Sequence, residues 1–215
     1  MSYVADQDLE FEPGTEYRYS NSDNVAVGLM VQAATGRRYE RQLRTIVFDP
    51  LGLENTSLPQ GAAIPEPFIH GYGRETDGSL QDVSELFAAG YAWASGGMVS
   101  TPSDQNRFIR SYVGGKLFRA PTRNAQFQFP GESEPPGPGT NSAGLALFRY
   151  RTACGTIFGH TGNTPGYTQF FAASRDGQRS VVVAINLQAT PIVAPEVFVR
   201  LLRVFALAVC AATTG

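Results

Sequence analysis

Apolar positions follow two different rhythms along this chain. In the first half they recur at helical spacing. Val25, Val27, Leu29, Met30 and Ala33 follow Ser22 and Asp23, either of which can cap a helix, and Gly36 ends it. A second amphipathic helix is predicted over 39–48, stopped by Asp49-Pro50. Residues 59–92 are punctuated by Gly and Pro with little periodicity and read as a long folded connection. At Thr101-Pro102-Ser103-Asp104 a helix restarts. Thr101 is its cap, Pro102 takes the first helical position, and Asp104 completes a capping box. That helix runs through Phe108, Ile109 and Tyr112 to Gly114-Gly115.

The rhythm then changes. Residues 130–142 (PGESEPPGPGTNS) read as a low-complexity loop. Short apolar segments recur at 144–150, 156–160, 166–173 and 181–187, separated by turn residues such as Arg175-Asp176-Gly177, which predicts an antiparallel meander of about four strands. The run 180–187 is apolar on both faces and reads as a central, doubly covered strand. An amphipathic helix from about Ala194 packs on the sheet. Helices, then antiparallel strands, then a closing helix give an α+β fold of the α/β/α sandwich kind. Residues 1–130 form a mostly helical lobe and 131–215 the sheet with its last helix, together one incomplete domain.

Composition narrows the function classes. A net charge of −2 leaves no electrostatic footprint for nucleic acid or an anionic membrane. In the apolar stretch 192–212, Glu196, Arg200 and Arg203 are spaced four and three apart on one helical face, so it reads as core-packing rather than membrane-spanning. Residues 1–8 have neither the basic segment nor the apolar run of a signal peptide. Cys154 and Cys210 fit two inert thiols or one disulfide, and spacing decides neither; they form no zinc-ligand pattern. Of the 17 basic residues, Lys116 is the sole lysine.

Three constellations carry candidate chemistry. Tyr19-Ser20-Asn21 sits just before a helix. Ser95-Gly96-Gly97 feeds the capped helix at Thr101, with Trp93 just ahead of it as a pocket wall or a core indole. Gly159-His160-Thr161-Gly162-Asn163 lies at a strand end before a tight turn. Each alone is accounted for by turns, caps and hydrogen-bonded core residues.

In this order and at these separations, the three resemble the class C β-lactamases and their relatives, the D-alanyl-D-alanine carboxypeptidases and esterases. Residues 11–29 (FEPGTEYRYSNSDNVAVGL) are similar to the family's second-motif region, as are 48–57 (FDPLGLENTS) to the segment after its helices. Gly159-His160-Thr161-Gly162 resembles the third motif, with His-x-Gly in place of Lys-x-Gly, which points to the carboxypeptidase branch. The resemblance implies acyl-enzyme hydrolysis of D-Ala-D-Ala peptides or β-lactams without a cofactor or metal. It casts Tyr19 in proton transfer, and Asn21 in orienting the substrate amide and the first-motif lysine. His160, Thr161 and Gly162 would line the strand beside the substrate, and the Asn163 N–H would donate to an oxyanion. It also implies an extracytoplasmic parent protein, and with it a Cys154–Cys210 disulfide.

The first motif, Ser-x-x-Lys, does not occur in these residues: three positions before Lys116 stands Val113. Ionising a tyrosine phenol at neutral pH takes roughly 4 kcal/mol of cationic stabilisation, which that lysine would help supply. The expectation is therefore a C-terminal part that is inactive alone, lacks the N-terminal strands and the nucleophile helix, and associates with the missing segment or with itself. The alternatives are a non-catalytic binding module and an esterase on the same fold.

Overall fold

The computed structural model describes residues 7–61, 63–75, 77–86, 90–129 and 135–214. Helix α1 (Asn21–Thr35) begins two or three residues earlier than expected, because Ser20 rather than Ser22 or Asp23 is its cap. Ser20 is extended and its hydroxyl accepts the Ser22 N–H at 3.1 Å. Gly36, left-handed at φ 62°, closes the helix as expected. After α2 (Tyr39–Leu43) the chain does not stop before Pro50. It widens into a π turn (Arg44–Phe48) and runs on as α3 (Asp49–Leu51), closed by left-handed Gly52. The widened turn puts Pro50 near the start of a new turn, where its missing N–H leaves no bond unmade.

Helix α4 (Pro102–Val113) starts as predicted, with Thr101 Oγ1 accepting the Asp104 N–H. The Asp104 carboxylate does not reach back to the cap. Its Oδ2 accepts from Asn55 N and Thr56 Oγ1, both at 2.9 Å, and so ties the loop after α3 to the helix. A short α5 (Ala120–Gln126) follows. Between α3 and α4 the long connection forms a small hairpin, β1 (Tyr72–Arg74) with β2 (Leu80–Asp82).

The main sheet is an antiparallel meander of β3 (Thr140–Gly144), β4 (Leu147–Thr152), β5 (Gly155–Thr164), β6 (Tyr167–Ala173) and β7 (Ser180–Ile185), in that spatial order. It has five strands rather than four. The end of the expected low-complexity loop is β3, which pairs with β4 from Thr140↔Arg151 to Gly144↔Leu147 and buries Ala143; residues 130–134 lie outside the described set. β7 ends the order of described strands and is not central. Its two-sided apolar character reflects cover on both faces, since α4 packs on one and α6 (Pro195–Thr214) on the other.

The result is three layers. Tyr150, Ile157, Phe170 and Ala172 meet Leu201, Phe205 and Val209 of α6, with the Phe170 and Phe205 rings stacked at 4.8 Å. On the opposite face Ile109 and Val113 of α4 pack on Leu147, Phe158 and Ala173. By length and composition α6 could cross a membrane; here one stripe of it is core, as its spacing predicted. Cys154, in the β4–β5 turn, is bonded to Cys210 of α6. The mixed helical and antiparallel architecture is the α/β/α sandwich expected from the sequence.

Candidate active site

The site is built where the N-terminus of α1 meets the far half of β5. Because Ser20 caps α1, Asn21 is its first residue, and Tyr19 stands just outside the helix, about half exposed. The Tyr19 hydroxyl donates to Asn21 Oδ1 at 3.3 Å. The Tyr19 ring lies 6.0 Å from the His160 ring and 6.5 Å from Phe148, which itself stacks on His160 at 4.1 Å. Two motifs far apart in the chain thus converge, with Phe148 as a shared floor.

Strand β5 changes its neighbours midway. Residues 155–159 pair with β4 on one side, ending at Phe148↔Gly159, whereas 158–164 pair with β6 on the other. From His160 to Thr164 the β4 side of the strand therefore has no partner strand among the described residues, which leaves backbone groups for an extended ligand to pair with. Thr161 Oγ1 at this edge donates to Pro136 O at 3.2 Å. Gly162 is closely packed against a neighbouring side chain. A Cβ there would lie 2.8 Å from the Nε2 of Gln169, a side chain held by Gln105 Nε2 at 2.6 Å.

His160 Nδ1 faces the carbonyl oxygen of Thr161, which can only accept. That fixes the proton on Nδ1 and leaves Nε2 as a lone-pair base in the neutral ring. Burial holds the His160 pKa below the usual histidine value, against a smaller opposing effect of the Thr161 hydrogen bond. At neutral pH the ring is therefore uncharged and supplies no cationic field to Tyr19.

The side chains of the remaining predicted residues make other local contacts. The Asn163 side chain turns into the fold, its Nδ2 donating to Ala189 O at 3.2 Å and its Oδ1 lying 2.9 Å from Thr168 Oγ1. Trp93 is seated elsewhere. Its indole N–H donates to Glu40 Oε1 at 2.9 Å, its ring meets Tyr39 edge-on at 5.4 Å, and it packs over Gly28 of α1, where a Cβ would come within 3.0 Å of the indole. It contacts neither Tyr19 nor His160 among the described ring contacts. Phe148, Gln105 and Gln169 were not singled out by sequence. Phe148 reads there as one more apolar strand residue, and two glutamines 64 apart carry no spacing signal. Among the described residues no group of three His, Cys, Asp or Glu side chains is placed to hold a metal ion.

Comparison with known proteins bears on the family and the fold. The β-lactamase family model matches residues 1–202. A D-stereospecific amidohydrolase from a Streptomyces species superposes with a TM-score of 0.76 at 28% identity, over 85% of this chain and 54% of its own. A D-amino acid amidase from Ochrobactrum anthropi SV3, solved with L-phenylalanine amide, gives 0.74 and 28% over 85% and 53%. A curated D-aminopeptidase from Gluconobacter oxydans is 29% identical over 39% of this chain and 16% of its own length. The chain thus spans about half the length of these solved structures and a smaller part of the curated relative. With the family model covering most of its residues and the fold shared with these hydrolases, the chain belongs to the β-lactamase family of serine hydrolases.

Proposed function

We propose that this chain carries the tyrosine-and-strand half of a site that hydrolyses an amide bond at a D-amino-acid residue through an acyl-enzyme. The observation that carries the reading is the meeting of Tyr19 and His160 beside the open stretch of β5. Support for the substrate class comes from the amidohydrolase and amidase neighbours, the first named as D-stereospecific and the second as acting on D-amino acids. Peptides ending in D-Ala-D-Ala and β-lactams belong to the same class of acyl donors.

In that reaction a serine oxygen adds to the acyl carbon, the C–N bond breaks, and the nitrogen departs with a proton; water then cleaves the ester and restores the serine. Tyr19 relays the proton between the serine oxygen and the departing nitrogen. Asn21 orients the substrate amide. The backbone of 160–163 holds the substrate as an added strand, and the Asn163 N–H donates to the developing oxyanion. His160, neutral with Nε2 free to accept, serves as a hydrogen-bond acceptor rather than as a cation.

No Ser-x-x-Lys occurs among these 215 residues. The reading therefore includes a dependence: the chain turns over nothing by itself and works when joined to or associated with a segment bearing Ser-x-x-Lys. Incubating the purified chain with D-phenylalanine amide, a D-Ala-D-Ala peptide and nitrocefin tests it. No turnover is expected; hydrolysis abolished by Tyr19→Phe overturns the dependence. A longer form carrying Ser-x-x-Lys is expected to hydrolyse the amides and to lose that activity with Tyr19→Phe.

Location outside the cytoplasm is part of the same proposal, supported by the Cys154–Cys210 disulfide. Thiol titration of the unfolded chain without reductant is expected to find none; two thiols per chain overturn it.

A further inference from the structure

We propose that one stripe of α4, together with the turn that follows it, forms an oxyanion site for a phosphate-class ligand, apart from the site around His160. An open concavity of about 360 Å3 is lined there by Ser103, Asn106, Arg107, Arg110, Ser111 and Lys116. Five of the six come from one helix at spacings of three and four, so they share a face. The sixth is the chain's sole lysine. It is brought back to that face by a reversal at Gly115 (φ 84°), with the Lys116 N–H bonded to Ser111 O at 2.9 Å.

The charges do not cancel internally. Among the described residues the one carboxylate within ion-pair distance of these cations is that of Asp104, whose Oδ1 lies 4.0 Å from Arg107 Nη1. Its other oxygen is already taken by Asn55 and Thr56. Three cations against one nearly buried carboxylate leave a positive concavity whose charge an incoming anion offsets. Both guanidinium groups are also anchored by backbone carbonyls. Arg110 Nε donates to Gly177 O at 3.0 Å, and Arg107 Nη1 donates to Gly52 O. Anchored in this way, their other N–H groups are oriented before a ligand arrives, and less side-chain entropy is lost on binding. Two guanidinium forks and an ammonium approaching from a helix and a turn suit a tetrahedral oxyanion, which offers several acceptor oxygens, better than a planar carboxylate. The ligand chemistry is a phosphoryl group, either free phosphate or the phosphodiester of an anionic lipid headgroup.

Calorimetric titration of the chain with inorganic phosphate at low salt tests the site, with co-sedimentation on phosphatidylglycerol and on phosphatidylcholine vesicles as a second arm. One saturable phosphate site is expected, roughly tenfold weaker in Lys116→Gln and in Arg107→Gln, the scale of one charge-assisted hydrogen bond. Near-UV circular dichroism confirms that the variants are folded; Lys116 is exposed and its replacement leaves the core untouched. Retention on the anionic vesicles alone that is lost in Lys116→Gln assigns the headgroup, and phosphate binding without retention assigns the free anion. Binding unchanged by both substitutions, or no saturable binding to phosphate and no retention on vesicles, overturns the proposal.

Discussion

His160 lies face to face with Phe148, their ring centroids 4.1 Å apart and their planes at 22°. The contact forms at the point where β4 ends, so the imidazole leaves the sheet just as the strand beneath it gains a free edge. One face of the ring is covered by an aromatic neighbour, and its Nδ1 proton is committed to the Thr161 carbonyl. What is left for chemistry is Nε2, in a ring whose centroid lies 6.0 Å from that of Tyr19.

This arrangement makes stability depend on pH in a defined direction. Burial lowers the folded-state pKa of His160, whereas the unfolded chain takes up its proton near pH ~6.5. Above that value both states hold a neutral ring and stability is at its full level. As the pH falls from there toward the lower folded value, the unfolded state binds more protons and stability drops; below the folded value the loss levels off. Denaturant midpoints measured between pH 7.5 and 5 should fall with acidification in the parent chain and fall less in His160→Phe. An identical decline in both would show that His160 is not the group responsible.

Gly162 and Gln169 face each other across β5 and β6. Gly162→Ala drives a methyl to 2.8 Å from the Gln169 amide and displaces it from Gln105. A cost of about 1–3 kcal/mol is expected, the range for an added carbon in a packed site. Gln169→Ala removes the obstacle, so the double variant should be no less stable than Gln169→Ala alone. Simple additivity of the two losses in a double-mutant cycle would contradict the contact.

Much of this fold was legible in the sequence, because the patterns that specify it are local. The Thr101-Pro102 start of α4, Gly36 as the end of α1 and the turn at Arg175-Asp176-Gly177 each rest on neighbours in sequence. The errors fall where a distant partner decides. The both-sided apolar run of β7 reports what lies above and below a strand, and was misread as reporting what lies beside it. β3 is polar and glycine-bounded, and it becomes a strand only because β4 offers it a ladder. In the candidate site, Tyr19, Asn21 and His160 were readable as motif residues, but Phe148 was not. Its role comes from a stacking contact made across the end of a strand pair.

Asp104 shows the same limit and gives a further test. Its position three residues after Thr101 suggested a capping box, but its nearly buried carboxylate holds Asn55 N and Thr56 Oγ1 instead. Asp104→Ala leaves Asn55 N without this acceptor and Thr56 Oγ1 with only Ser100 Oγ, 2.8 Å away, and should cost about 2–4 kcal/mol, less than two full hydrogen bonds to a charged acceptor. Asp104→Asn keeps an acceptor oxygen and should cost less. Thermal or urea unfolding of the two variants checks the order, and equal losses would mean that charge, not hydrogen bonding, sets the effect.

The disulfide closes a long covalent loop. Cys154 and Cys210 are 56 positions apart and join the turn at the closed end of β5 to α6. A loop of that length implies roughly 4 kcal/mol from restricting the unfolded chain, with measured effects in the range of about 2–5 kcal/mol. Cys154→Ala/Cys210→Ala should therefore lower the free energy of unfolding by about that much. The bond joins α6 to the turn at the Gly155 end of β5, while His160 and its neighbours occupy the other end, where Tyr19 and β6 hold them. The loss should accordingly appear as faster amide exchange in α6 and the β4–β5 turn, with protection at 160–164 changed least. Equal loss of protection along the whole of β5 would show that the strand responds as one unit and that the disulfide also supports the candidate site.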